Sequence, residues 1–169
     1  MSSLSDELWN IYNIQKDWIS ISDAKAVAII GIYGVIGTIL IPDFLSWINS
    51  DGFNIYTFIG LTVLLIIPFS SLVLSFLTII PRLKSDRNNS IIYYQKIAKN
   101  FTNPESYYEA ASLAISSDNN SYEKEISSQI WNLSKIAELK YRYISFAMIL
   151  LLLSFILTIS LMMIFPFIR

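Results

Sequence analysis

Three long apolar runs without a single charged side chain constrain what this chain can fold into. Residues 26–42 and 52–81 form the first two runs, and residues 143–168 form the third. As a helix, each run is about long enough to cross ~30 Å of hydrocarbon. The chain is 54% hydrophobic over 169 residues, which is too apolar for one small soluble domain unless the apolar residues are concentrated in runs. The runs therefore predict three membrane spans.

The polar stretches between these runs complete an all-α membrane protein. Residues 1–22 have apolar side chains at helical spacing and predict an N-terminal amphipathic helix. Residues 23–81 form a transmembrane hairpin, residues 82–142 a helical insert and residues 143–169 the third transmembrane helix. No helix breaker separates the last helix of the insert from the third span, so we expect one continuous helix there.

The distribution of Lys and Arg predicts the orientation of the chain in the membrane. Lysine and arginine are frequent in the insert and absent from the loop at 43–53. By the positive-inside rule, the N-terminus and the insert are cytoplasmic and the C-terminus lies outside. Lys140 and Arg142 are explained in the same way, as residues at the membrane boundary.

Composition also excludes several kinds of function. The chain contains no Cys and no His, which removes thiol nucleophiles, usual zinc sites and His-based acid–base catalysis. A net charge of −1 disfavours nucleic acid as a partner. We expect no cofactor, no metal and no enzymatic activity, although an enzyme that relies on Asp alone is left open.

Two charged residues stand at the entrance to the first span. Asp23 and Lys25 lie about 160° apart around a helix that advances 100° per residue, so they do not pair with each other. A carboxylate at membrane depth is a candidate functional group. Two interpretations stay open for each residue, a functional site and an ordinary residue of the membrane edge.

The first two spans carry two further features. Small residues follow one side of span one and predict a helix-association face, which we expect to pack on the other spans of this chain or on a second copy: Ala24, Ala28, Gly31 and Gly34. Pro68 removes a backbone donor in span two and predicts a hinge. Hydroxyl groups nearby are expected to repair that defect or to line a wet path: Ser70, Ser71, Ser75 and Thr78.

Several segments together resemble a known family. Residues 18–26 read WISISDAKA and lead into the first span, residues 93–98 read YYQKIA, and residues 129–137 read QIWNLSKIA. With KYRY at 140–143 before the last span, the chain resembles the Pycsar effector transmembrane family. The resemblance implies a bacterial antiphage effector that is activated by a cyclic pyrimidine mononucleotide from a partner cyclase. It also implies damage to the inner membrane and growth arrest or cell death.

Candidate ligand contacts follow from what a cyclic nucleotide requires. A phosphate is held by cationic donors and a base by a flat aromatic face. The residues of these types near the inner membrane face, together with the entrance pair, form the candidate site: Asp23, Lys25, Arg82, Lys84, Arg87, Tyr93, Tyr94 and Lys96. Topology alone also explains those cations. The alternative function is a ligand-free adaptor membrane protein that oligomerises or recruits a partner.

Overall fold

A computed structural model describes residues 3–48, 55–81, 90–116 and 120–168 of the chain. These residues form five helices and no strand, which confirms the all-α prediction. The helices are α1 (Leu4–Ile48), α2 (Ile55–Ile79), α3 (Tyr94–Asn100), α4 (Pro104–Ser116) and α5 (Ser121–Ile168).

The chain divides into two compact units, and α1 and α5 each contribute to both. Unit 1 comprises Met1–Ser20 and Pro81–Glu138, and unit 2 comprises Ile21–Ile80 and Leu139–Arg169. The beginning of α1 and the segment with α3 and α4 therefore belong to the same unit.

The N-terminal amphipathic helix is not a separate element. α1 is one helix of 45 residues that includes both the amphipathic segment and the first apolar run. It also continues through Pro42 to Ile48, where the sequence predicted a loop from residue 43. One proline removes a single backbone bond, and helices in apolar surroundings tolerate that loss. Residues 49–53 of the predicted loop lie outside the described residues.

A reciprocal cap fixes where α1 begins. The Asp6 amide donates to the Ser3 hydroxyl at 3.2 Å, and the Ser3 amide donates to the Asp6 carboxylate at 3.0 Å. These two bonds satisfy donors that an uncapped helix end leaves open. Hydrogen bonds from Ser3 hold the pKa of Asp6 below its ordinary value.

Unit 2 is built on a small core between α1 and α5. Ala26 and Ile29 of α1 pack with Ile144 and Ala147 of α5. Small side chains at these positions let the two backbones approach closely. The Tyr33 and Ser154 hydroxyls, 3.1 Å apart, add a hydrogen bond between the same two helices.

Buried hydroxyls mark the contact of α2 with α5. Ser71 is fully buried and donates to the Ala147 carbonyl at 2.8 Å. The other three hydroxyls near Pro68 donate within α2, to the carbonyls of Ile66, Ser71 and Leu74. None of the four donates to the Leu64 carbonyl, so the expected repair of the Pro68 defect by these groups is wrong. The hinge at Pro68 itself stays a prediction.

Two helices of the described chain are long and apolar enough to cross a membrane. They are α1 over Leu4–Pro42 and α5 over Ser121–Ser160. The described residues of α2 supply a shorter apolar stretch, Leu65–Ile79. A protein with two such helices fits a membrane, and the third span stays a prediction.

Replacing Ser71 with Ala tests the contact between α2 and α5. We expect Ser71→Ala to lower the free energy of unfolding by about 0.5–1.5 kcal/mol, because the bond to the Ala147 carbonyl joins two helices. Ser70→Ala is the matched control, since the Ser70 hydroxyl bonds within its own helix. Thermal unfolding in detergent measures both variants. Equal losses in the two would contradict the assignment.

Candidate functional site

An ion pair lies beside the core of unit 2. The Lys140 ammonium group of α5 and the Asp23 carboxylate of α1 are 2.5 Å apart. The Lys140 side chain is only 5% exposed, whereas that of Asp23 is 36% exposed. A buried ammonium group is costly unless it is paired, so Lys140 depends on Asp23 more than Asp23 depends on Lys140.

The burial of Lys140 follows from the helical period of α5. Ala137, Lys140, Ile144 and Ala147 are all buried and are spaced by three or four residues, which places them on one face of the helix. Sequence reasoning explained Lys140 as a residue at the membrane boundary and missed this site. The sequence does contain the evidence for this burial, because Lys140 lies at helical spacing between Ala137 and Ile144.

Lys25 has a different neighbour. Its ammonium group lies 5.7 Å from the centre of the Tyr141 ring, a distance at which a cation is attracted to an aromatic face. Asp23 and Lys25 thus each interact with a different residue of α5, as their angular separation on α1 requires.

The predicted helix-association face is exposed. Ala24, Ala28, Gly31 and Gly34 all lie on the open side of α1, and a Cβ added at either glycine would meet no described atom within 4 Å. The expectation that this face packs on other spans of the same chain is therefore wrong for the described residues. The face of α1 that packs internally is the one with Ala26 and Ile29.

Unit 1 contains a second polar centre, which sequence reasoning also missed. The Glu125 carboxylate is buried, and one of its oxygens accepts hydrogen bonds from the Ser90 hydroxyl at 2.6 Å, the Ile91 amide at 2.6 Å and the Ile92 amide at 3.3 Å. The Tyr93 amide in turn donates to the Ser90 hydroxyl at 3.0 Å. Glu125 therefore anchors the segment that leads into α3.

This anchoring also explains where α3 begins. A helix that began at Ile91 would leave its first amides without intrahelical acceptors. Side chains accept those hydrogen bonds instead, and the helix begins only at Tyr94. Tyr107 of α4 donates to the Ile91 carbonyl at 3.0 Å and fixes the same segment from another side.

The candidate ligand residues fall into three groups. Asp23 and Lys25 lie in unit 2, and Tyr93, Tyr94 and Lys96 lie in unit 1. The three remaining cations lie outside the described residues: Arg82, Lys84 and Arg87.

The aromatic pair of unit 1 combines one half-buried ring with one exposed ring. The rings of Tyr93 and Tyr94 are 5.3 Å apart, and Tyr94 is 61% exposed. Partial burial, together with neighbouring Tyr94, raises the pKa of Tyr93 above its ordinary value. Tyr94 therefore offers an accessible aromatic face, two residues before Lys96.

The start of α1 is bonded to α5 within unit 1. The Trp9 indole donates to the Tyr122 hydroxyl at 2.7 Å, and Tyr12 packs edge-on against the Trp9 ring at 5.0 Å between centroids. Among the described residues, no group of three His, Cys, Asp or Glu side chains is placed to hold a metal ion.

Together these features define a helical membrane protein. Its long apolar helices are joined by an ion pair and by hydrogen bonds of buried polar groups. A family model for the Pycsar effector protein domain matches residues 7–167, nearly the whole chain. The chain therefore belongs to the Pycsar effector family and is an antiphage defence effector. Membership associates it with a membrane and with a cyclic nucleotide signalling system that has a partner cyclase. Searches of curated proteins and of solved structures found no match.

Removing the Glu125 carboxylate should loosen the segment before α3. We expect Glu125→Ala to lower the free energy of unfolding of unit 1 by about 1–3 kcal/mol, because buried donors lose their acceptor. Hydrogen exchange at the Ile91 and Ile92 amides should accelerate in the full-length protein. Glu109→Ala, at an exposed position on α4, is the control and should leave that exchange unchanged. Unchanged exchange in Glu125→Ala would refute the anchoring role.

The ion pair should show an asymmetric mutational response. We expect Asp23→Ala to destabilise the protein by roughly 3 kcal/mol, because it leaves the buried Lys140 charge unpaired. Lys140→Met should cost less, since water reaches the partly exposed Asp23. The double variant Asp23→Ala/Lys140→Met should be more stable than Asp23→Ala alone. Thermal unfolding in detergent gives the coupling, and strictly additive effects would contradict it.

Proposed function

We propose that this chain disrupts the inner membrane of a bacterium in response to a cyclic nucleotide. The signal is cyclic UMP or cyclic CMP from the partner cyclase, and the outcome is growth arrest or cell death. In this proposal the protein crosses the membrane three times, with its N-terminus and insert in the cytoplasm and its C-terminus outside. Family membership and the two long apolar helices support it.

The observation that carries the proposal is the ion pair of Asp23 with Lys140. The core between α1 and α5 is small, and breaking this pair would leave the Lys140 charge buried without a partner, so the arrangement of the two helices is sensitive to the pair. A signal that weakens the pair would separate α1 from α5 at low cost. The signal can act only if it binds the active arrangement more tightly than the resting one.

For the ligand, the accessible aromatic face of Tyr94 and the charge of Lys96 suit a base and a phosphate. Tyr93 and the cations at positions 82, 84 and 87 belong to the same proposed site. The role of Asp23 and Lys25 is then to hold the resting arrangement through their α5 neighbours, not to contact the ligand.

The active form is proposed to be a homo-oligomer. Its subunits associate through the small-residue face of α1 at Ala24, Ala28, Gly31 and Gly34, which is open in the single chain. Small residues permit the close helix approach that association in a bilayer requires. Pro68 is the proposed hinge that lets α2 adjust.

Leakage from dye-loaded liposomes tests this function directly. We expect cyclic UMP or cyclic CMP to release dye from vesicles that contain the protein, and cyclic AMP, a purine nucleotide, to release much less. Tyr94→Ala/Lys96→Ala should lose the response, whereas Tyr108→Ala, another exposed tyrosine of unit 1, should keep it. Vesicles that stay intact with every cyclic nucleotide would favour the ligand-free adaptor.

The same assay separates the two roles considered for Asp23. If the ion pair holds the resting state, Asp23→Ala and Lys140→Met should both leak without nucleotide. If Asp23 contacts the ligand instead, vesicles with Asp23→Ala should release no dye with or without nucleotide. Vesicles with Lys140→Met should still release dye when the nucleotide is added. That second pattern would overturn the resting-state role.

A further inference from the structure

Unit 2 has a groove between α2 and α5. Its volume is about 440 Å³, which is within the usual range of ligand pockets. Apolar side chains from α2 and from one side of α5 line it: Leu74, Leu139, Phe146, Ile149 and Leu150. Phe146 and Ile149 are 51% and 55% exposed, so the groove is open along its side.

One end of the groove is polar and lies at the membrane boundary. Arg142 and Tyr143 line that end, and Arg142 is the last charged residue before the charge-free run at 143–168. From Arg142 to Leu150 the lining extends roughly 12 Å along α5, at 1.5 Å per residue. This length is less than half of ~30 Å of hydrocarbon. The groove therefore begins at the polar boundary and lies within one leaflet.

The charge of Arg142 is not balanced within the described part of the chain. Glu138, four residues earlier, is bonded to Lys135 at 3.3 Å, and Asp23 is paired with Lys140. Among the described residues Arg142 takes part in no ion pair, and its side chain is exposed. A guanidinium group binds a phosphate through two parallel hydrogen bonds. This end of the groove is therefore complementary to an anion.

We propose that the groove binds one anionic phospholipid, with its phosphate on Arg142 and an acyl chain along the apolar lining. Basic pockets between transmembrane helices bind anionic head groups in this way. A zwitterionic lipid would bring its own cation close to Arg142, and a water-soluble anion would leave the apolar lining uncovered. The site requires only that α5 lies in the membrane, and it does not depend on the proposed nucleotide response.

A photoreactive lipid tests the site in the full-length protein without nucleotide. The protein is placed in phosphatidylcholine nanodiscs with a trace of phosphatidylglycerol that carries a diazirine in its acyl chain, and mass spectrometry locates the labelled residues. We expect labelling to concentrate on Phe146, Ile149 and Leu150. Exchanging part of the phosphatidylcholine for unlabelled phosphatidylglycerol should reduce this labelling severalfold. The same diazirine on phosphatidylcholine should label these residues severalfold less.

Variants separate the charge from the apolar lining. Arg142→Gln should lower labelling by phosphatidylglycerol to the level of the phosphatidylcholine probe, whereas Lys135→Gln, which removes another exposed cation of α5, should not. Ile149→Trp should fill the groove and block labelling. Its control is Met148→Trp, because Met148 is also exposed but lies about 160° around α5 from Phe146. All four positions are exposed, so thermal unfolding in detergent should be unchanged and verifies folding.

The opposite results would overturn the site. Equal labelling by the two probes, labelling spread over all exposed sides of α5, or no labelling in the groove would mean ordinary contact with membrane lipid. Glycerol phosphate in solution carries the anionic group without the acyl chains and should not compete. Competition by it would indicate a site for a soluble anion. A preference for phosphatidylglycerol that survives Arg142→Gln would exclude Arg142 as the phosphate contact.

Discussion

Lys140 places an ammonium group on the buried face of α5, and the arrangement of unit 2 depends on neutralising that charge. Because water has little access to it, the charge must be met by a carboxylate held at hydrogen-bond distance. Asp23 provides that carboxylate from α1, at the point where the helix becomes continuously apolar. One pairing therefore fixes which face of α1 meets α5, and it leaves the small-residue face open on the other side.

The remaining contacts follow the same constraint on buried polar groups. Between α2 and α5, a buried serine hydroxyl satisfies a backbone carbonyl. In unit 1, the Glu125 carboxylate satisfies backbone amides that precede α3. Such bonds specify position, because a buried polar group left without a partner costs more than the bond itself contributes. Few large apolar side chains are fully buried in the described part of the chain, so these polar contacts have a larger share in its organisation.

This balance suits a protein that changes arrangement in response to a signal. A large apolar core resists rearrangement because every packed side chain must move together. A small core with an ion pair can be reorganised by a ligand of modest differential affinity, which is what the proposed activation requires.

Much of the architecture could be predicted from the sequence, because charge-free runs and helical spacing are local properties. They gave the all-helical fold and the absence of a break before the last apolar run. The residues of the charged entrance were also found, since a 100° step alone shows that Asp23 and Lys25 cannot pair.

Only the tertiary structure decided which buried polar groups pair with each other. Asp23 faces Lys140, Ser71 donates to the Ala147 carbonyl, and Glu125 accepts hydrogen bonds from the segment before α3. These contacts join groups that are between 33 and 117 residues apart in the chain. By itself, the sequence determined where helices form and which of them suit a membrane. It could not determine the pairing of buried polar groups, because that depends on how the helix faces are rotated against one another in space.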